Sequence, residues 1–345
     1  MTPSVEARPL VVLEVDSARE WRGGQVQTHL LVEGLRSLGQ CVHVAAPPDG
    51  ALAARLQGDV LGLAGGPRLP LVLRTLVRRV RPDVVAAQTP RAHGACVLAG
   101  LHPVVHRRVD FAIGRGPASR WKYARARLYV AVSAAVARVL TAGGVDPDRI
   151  RVVPDGIRPL DPAPPDPALA GPGPLVGAAG ALVAHKGHRV LVEAMARLPG
   201  VRCVLLGSGP QRPDLEARIR TLGLTGRVRL LGHRTDVVPV MAALDLLVHP
   251  SLEEGMGQVV GEAMSLGVPV LVTSAGGLPE VVGPTAHTVP PGDPEALAAA
   301  IRARLADPGD TRAARRRALE VFSVNRMVQQ TLAVYREAAG RGGAP

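Results

Sequence analysis

Short apolar runs recur along this chain, and most are followed by stretches whose apolar positions fall three and four apart. Leu10–Val15, Val42–Ala46, Val84–Ala87, Val104–His106, Tyr129–Val132 and Ile150–Val153 have the length and near-continuous apolarity of buried parallel strands. Between them Gln25–Leu38, ending at Gly39, and Leu69–Val80, stopping before Pro82, read as amphipathic helices. Further helices fit around 91–100, 119–127 and 134–142. The alternation then restarts, with strands at Leu175–Ala179, Val201–Leu206, Val228–Leu231, Leu246–His249 and Val270–Thr273. Helices fit at 187–197, 211–222, 236–243, 257–266, 294–305 and 311–320, and Val324–Ala339 is a last helix. Such alternation specifies parallel α/β sheets covered by helices on both faces.

The two series are separated by Pro159–Pro174, whose proline density rules out a helix or a central strand. It reads as a semi-rigid linker. The pattern predicts a domain over 1–158, a linker over 159–174 and a second domain over 175–320. Both are Rossmann-like, doubly wound α/β domains. Their strand C-terminal ends are expected to face each other across an interdomain cleft, which suits a two-substrate transfer.

A length of 345 residues agrees with two domains. No apolar stretch approaches the roughly 18–20 residues that span a bilayer. The start, Met1–Glu6, lacks a basic region followed by an apolar one, so a signal peptide is not expected. Cys41, Cys96 and Cys203 are scattered without metal-ligand spacing and read as reduced thiols of a cytoplasmic protein. The net charge of +12 raises nucleic-acid binding, but 2% aromatic residues leave few stacking platforms, and the positive charge is spread along the chain as arginine. A nucleic-acid partner is not expected. Lysine occurs only at Lys122 and Lys186, which makes Lys186 conspicuous as a compact point charge. One basic cluster is local: Arg107, Arg108, Arg115, Arg120, Lys122, Arg125 and Arg127. It reads as a solvated surface or as a face that meets an anionic membrane or a phosphate-bearing acceptor, where each cation adds on the order of 1 kcal/mol.

The richest chemistry lies between Ser251 and Val270. Glu254 and Glu262 flank a Gly-rich junction between a strand ending near His249 and a helix starting near Gly257. The amides of that helix start can hold an anion, and Glu262 leans back toward it. This suits a phosphate-bearing ligand with hydroxyls, a nucleotide-sugar. Lys186 follows the first strand of the second series, where an ammonium can neutralise a leaving diphosphate. Gly23-Gly24 after the first strand could bring amides to a phosphate, or be a plain turn. The dinucleotide fingerprint is missing there, which argues against a nicotinamide dehydrogenase. Asp146 and Asp148 read as turn residues rather than metal ligands, and Asp236 as a helix N-cap. His93 and the set His106, Arg107, Arg108 and Asp110 follow strands and are candidates for function or for structure alike.

These residues also carry a family resemblance. Gly180, Lys186-Gly187, Gly207-Ser208-Gly209 and Val228…Gly232 lead to Asp245…His249-Pro250-Ser251. Glu254, seven residues, Glu262-Ala263-Met264 and Gly267-Val268-Pro269-Val270 complete a string that resembles glycosyltransferase family 4, retaining enzymes of the GT-B fold. Gly23-Gly24 and Val152–Ile157 extend the resemblance over nearly the whole chain. It implies that Glu262 holds the donor ribose and Glu254 the donor sugar. It implies amides of Gly257, Gln258 and Val259 on the diphosphate, with Lys186 as cation, and a nucleobase framed by Gly209, Gly232 and His233. The last helix is implied to cross back onto the first domain.

The resemblance further implies front-side attack in which the leaving diphosphate helps to deprotonate the acceptor hydroxyl. No metal or separate cofactor is implied; the nucleotide-sugar is a substrate. A saccharide or glycolipid acceptor of the bacterial cell envelope is the softer implication, with a cytoplasmic protein working at the inner face of the membrane. A nucleotide-sugar epimerase of the same fold, or a basic nucleic-acid-binding protein, is the alternative. Three positions depart from the family. Ala181 replaces an arginine, Asp155 replaces an asparagine before Gly156, and Arg107-Arg108-Val109-Asp110 replaces a first-domain histidine. Arg107 and Asp110 are therefore candidates for the reacting site alongside Lys186 and Glu254.

Overall fold

The computed structural model describes residues 8–63 and 66–340; Met1–Glu6, examined above for a leader, lies outside them. The chain forms two compact units, one running to Gly156 and resuming at Val324, the other Ile157–Ser323.

Unit 1 begins with β1 (Val11–Val15), α1 (Gly23–Ser37), β2 (Cys41–Ala46), α2 (Ala51–Arg55) and β3 (Leu61–Gly62). It continues with α3 (Leu69–Val80), β4 (Val84–Ala87), α4 (Pro90–Leu98), β5 (Val104–Arg107), α5 (Pro117–Ala124), β6 (Leu128–Ala131), α6 (Ala134–Ala142) and β7 (Ile150–Val152). Its strands lie in the order 3-2-1-4-5-6-7, all parallel. Helix starts are marked chemically. Thr89 and Ser133 accept hydrogen bonds from Ala92 and Val136 at the beginnings of α4 and α6, the role expected of N-cap hydroxyls.

Unit 2 follows with β8 (Leu175–Ala179), α7 (His188–Met195), β9 (Arg202–Leu206), α8 (Arg212–Thr221), β10 (Val228–Gly232), α9 (Val237–Ala242) and β11 (Leu246–His249). Then come α10 (Gln258–Ser265), β12 (Val270–Thr273), α11 (Leu278–Val282), β13 (Thr288–Val289), α12 (Pro294–Ala306) and α13 (Thr311–Val321). The sheet order is 10-9-8-11-12-13, again parallel. The last helix, α14 (Val324–Gly340), belongs to unit 1, where it packs on α1 and β6. Each sheet is covered on both faces and has its own apolar core.

The short elements α2, β3, α11 and β13 were not in the predicted pattern. At two to five residues they are shorter than a hydrophobic period needs to show itself. The proline-rich stretch is fastened to unit 2 rather than spanning space. Leu169 is buried, Arg234 pairs with Asp166 at 2.7 Å, and Arg202 donates to the carbonyls of Leu169, Gly171 and Gly173. Among the described residues, no helix is long and apolar enough to cross a membrane.

Candidate active site

In a doubly wound sheet, loops leave in opposite directions where the strand order reverses, and a ligand crevice opens at the carboxyl ends there. In unit 2 the reversal falls between β8 and β11, which pair through Leu246–Val176 and Leu247–Gly177. The loop after β8 carries Lys186; the loop after β11 carries Glu254. They are drawn together by main chain. Leu252 donates to the carbonyl of His185 at 2.7 Å. Gly187 adopts a left-handed conformation (φ 67°), and a Cβ there would lie 1.9 Å from the carbonyl oxygen of Pro250. Only glycine permits that approach.

The result is a compact polar cluster. One carboxylate oxygen of Glu254, Oε2, meets Lys186 Nζ at 2.5 Å, His249 Nε2 at 2.7 Å and Ser251 Oγ at 3.3 Å. The surrounding backbone is also held: Thr273 Oγ1 donates to the Ser251 carbonyl at 2.6 Å, and Gly277 N to that of Glu254 at 3.0 Å. Burial by itself would raise the Glu254 carboxyl. The hydrogen bond and charge interaction with His249, and the ammonium of Lys186, instead hold it well below the usual carboxylate range. Burial keeps the His249 imidazole below its ordinary value despite the pull of Glu254. Lys186 therefore supplies the positive charge of the cluster.

Just beyond, α10 starts at Gln258 after Gly257, which is left-handed (φ 90°). The N-cap, Gly257, has no side chain with which to cap the helix, and no acid occupies the first turn of α10. Gln258 and Val259 are half-buried in that turn. Glu262 is half-buried one turn on; burial raises its carboxyl, and the side chain has no hydrogen-bond or ion-pair partner among the described residues. The loops after β8, β9 and β10 are stitched edge to edge, through Gly180 N to Leu206 O at 2.9 Å, Leu182 N to Ser208 O at 2.9 Å and Gly207 N to Gly232 O at 2.8 Å. Gly209 and Gly232 thus lie on the same sheet edge, and His233 is exposed next to Gly232. Asp236 does not cap α9. Its carboxylate is gripped by the Arg234 guanidinium through two hydrogen bonds of 2.9 and 2.5 Å, a stronger contact than a neutral amide offers.

Comparison with known proteins decides what this arrangement belongs to. Residues 21–159 match the model described as Glycosyltransferase Family 4, and 173–307 the model described as Glycosyl transferases group 1. The chain is 34% identical over 251 residues to the lipopolysaccharide core biosynthesis glycosyltransferase LpsE of Rhizobium meliloti (strain 1021), a match spanning 69% of this chain and 70% of that one. The chain belongs to the glycosyltransferases. The transferase is also 33% identical to the 2-deoxystreptamine glucosyltransferase of Streptomyces kanamyceticus, over 64% of this chain and 63% of the relative. Its fold is GT-B. The crystal structure of Anabaena Alr3699/HepE in complex with UDP superposes with a TM-score of 0.81 at 24% identity, covering 95% of this chain and all of that one.

In unit 1 the transferase corrects several sequence-based expectations. Arg107 is not placed for chemistry. It is buried, and its guanidinium donates to the carbonyls of Val109 and Phe111, at 3.0 and 2.5 Å, and to the Tyr123 hydroxyl at 3.1 Å. It is committed to holding the loop after β5. Asp110 lies half-buried in that same loop. His93 is buried on α4 and packs in T-shaped contacts against the stacked rings of Tyr123 and Tyr129, and burial pushes it down to about 3. Gly23 and Gly24 open α1, one element later than a loop; a Cβ on Gly24 would meet nothing within 4 Å.

The basic cluster is smaller than its sequence suggests. Arg107, Arg108 and Arg127 are turned to internal partners, the last donating to the Ala338 carbonyl of α14. Arg115, Arg120 and Arg125 remain exposed, near exposed Phe111 and Trp121 in sequence, and Arg125 lies 4.4 Å over the Trp121 ring.

Sequence reasoning missed Glu14, Asp16, Gln88 and Tyr335, and did not see that Arg108, Asp155 and His106 join a buried polar set in unit 1. Asp16 accepts from Gln25 Nε2 at 3.1 Å and Thr28 Oγ1 at 3.3 Å, behind the start of α1. Arg108 pairs with Asp155 at 3.0 Å and donates to Gln88 at 2.8 Å. Gln88 and Tyr335 both bond Glu14, and His106 bonds Tyr335 at 2.8 Å. A signal was present in one case: Glu14 is the only charged residue in the apolar run of β1, and a charge there is rarely buried without partners.

Proposed function

We propose that the transferase moves a sugar, with retention of configuration, from a nucleotide-sugar to a hydroxyl of a saccharide or glycolipid acceptor in envelope polysaccharide or lipopolysaccharide synthesis. The observation that carries this reading is the meeting of Lys186 and Glu254 at the switch point of unit 2, next to the start of α10 and to Glu262, whose side chain has no partner among the described residues. In this assignment Lys186 and the amides of Gly257, Gln258 and Val259 take the diphosphate. Glu262 accepts from the ribose hydroxyls and Glu254 from those of the sugar. Gly209, Gly232 and His233 frame the base.

The lysine assignment has a physical consequence. The developing charge on the departing diphosphate is stabilised by a cation that already stands at the site, with little reorganisation. Glu254 stays ionised, because Lys186 and His249 hold it so, and it orients sugar hydroxyls as an acceptor. In this scheme the diphosphate oxygen takes the proton of the attacking hydroxyl, the new glycosidic bond forms on the face from which the diphosphate leaves, and neither glutamate becomes covalently bound.

The donor class is supported by the fold neighbours: Alr3699/HepE was crystallised with UDP and with UDP-glucose. The acceptor class is supported by the relative LpsE, named for lipopolysaccharide core synthesis. Exposed Arg115, Arg120 and Arg125 beside Phe111 and Trp121 support contact with an anionic membrane surface, which suits a lipid-linked acceptor.

A thermal-shift panel of nucleoside diphosphates and nucleotide-sugars tests the donor class, because a ligand that binds only the native state raises the melting temperature. One base is expected to give a clear rise with both its diphosphate and its sugar conjugate. A flat panel would remove the donor assignment.

A further inference from the structure

We propose that His249 is a positioning residue for the donor sugar, holding the Glu254 carboxylate in place when Lys186 turns to the diphosphate. The inference rests on the donor assignment above and deepens it. Lys186, His249 and Ser251 all donate to Glu254 Oε2, and they differ in kind. Lys186 sits on a short helical turn at the end of a flexible stem, and it cannot keep its full bond to Glu254 while neutralising a phosphate. Ser251 is the longest of the three contacts, at 3.3 Å. His249 is the short and rigid one. Its side chain is buried, its bond measures 2.7 Å, and its backbone is locked in β11 opposite Val272 of β12.

The imidazole is suited to the task because it stays neutral. Glu254, Lys186 and His188 act on it; burial and then Lys186 oppose a positive charge on the ring, and His188 is itself pushed down to about 4 by burial. A neutral ring that donates from Nε2 leaves the charge of Glu254 uncancelled and available to sugar hydroxyls. A second ammonium in its place would compete with the sugar for the same carboxylate.

The test compares wild type, His249→Leu, His249→Gln and Glu254→Ala by calorimetry. The probe is whichever of UDP-glucose, ADP-glucose and GDP-mannose binds wild type most tightly, together with its nucleoside diphosphate. His249→Leu keeps volume and removes the donor; His249→Gln restores an N–H of similar reach. The expected result is an affinity for the sugar conjugate about tenfold lower in His249→Leu, with diphosphate affinity within about twofold of wild type, and recovery of most of the loss in His249→Gln. Should the leucine variant fail to fold, His249→Asn, whose amide falls short of Glu254, takes its place with the same expected loss. Equal weakening of both ligands without recovery in His249→Gln would reduce His249 to packing and overturn the proposal. Normal sugar binding in His249→Leu alongside a loss in Glu254→Ala would overturn this inference alone. Normal sugar binding in Glu254→Ala, or no binding of any of the three conjugates to wild type, would overturn the donor assignment beneath it.

Discussion

Glu14 stands fully buried in the middle of β1 and takes hydrogen bonds from both sides, from Gln88 at 2.6 Å and from Tyr335 at 2.7 Å. Gln88 in turn accepts from Arg108, and Tyr335 is bonded to His106. Two relays therefore run toward one carboxylate, and they tie β1, β4 and β5 to α14. Burial pushes Glu14 up to about 7, against the hydrogen bonds and the Arg108 charge that favour ionisation; Asp16 adds to the rise. A carboxyl raised in the folded state contributes stability that is full below its unfolded value and is lost as pH rises through the folded one. Glu14→Gln removes that titration. Urea unfolding should show the variant gaining on wild type by on the order of 3 kcal/mol between pH 4 and pH 8. A difference that stays flat with pH would contradict the assignment. At this scale the sequence was legible in part. Glu14 was conspicuous in an apolar run, but its partners are brought to it from as far as Tyr335, and no local spacing encodes that. The same holds for Arg108 and Asp155, two departures from the family pattern that form a buried ion pair with each other. Once the asparagine is an aspartate, a nearby cation is the ordinary way to bury it.

Elements with a full hydrophobic period were legible to within a few residues: α3, β4, α6, β8, β11 and β12 stand where the apolar pattern put them. The pattern failed where an element is a single turn or a two-residue edge, as for α2, β3, α11 and β13. It also could not say which arginines turn inward. In α5 and its flanks the structure sorts them. None of the α5 residues is buried, Trp121 lies open under Arg125, and Arg115 and Arg120 face solvent. An apolar ring between cations suits the interface of an anionic bilayer. Replacing Arg115, Arg120 and Arg125 by glutamate should abolish co-sedimentation with vesicles containing anionic lipid while leaving the melting temperature within a few degrees, since these side chains are solvent-facing. Equal wild-type binding to neutral and anionic vesicles would rule out an electrostatic dock.

At the scale of the molecule, two doubly wound units with parallel sheets are what an alternating strand and helix pattern dictates; the division falls at Gly156–Ile157, and the proline-rich stretch 159–174 lies within unit 2. The ion pair between Lys186 and Glu254 could not be read from a spacing of 68 residues. It follows from strand order, because the reversal between β8 and β11 makes their loops neighbours. Among the described residues the Glu262 side chain has no protein partner, and a half-buried carboxylate raised by burial suits hydroxyl donors. The most direct test is calorimetric titration of wild type and Glu262→Ala with the nucleoside diphosphate selected by thermal shift. The account predicts at least a tenfold loss of affinity in a variant whose melting temperature is unchanged or higher, since the burial penalty on the carboxylate is gone. Undiminished affinity in the folded variant would contradict it.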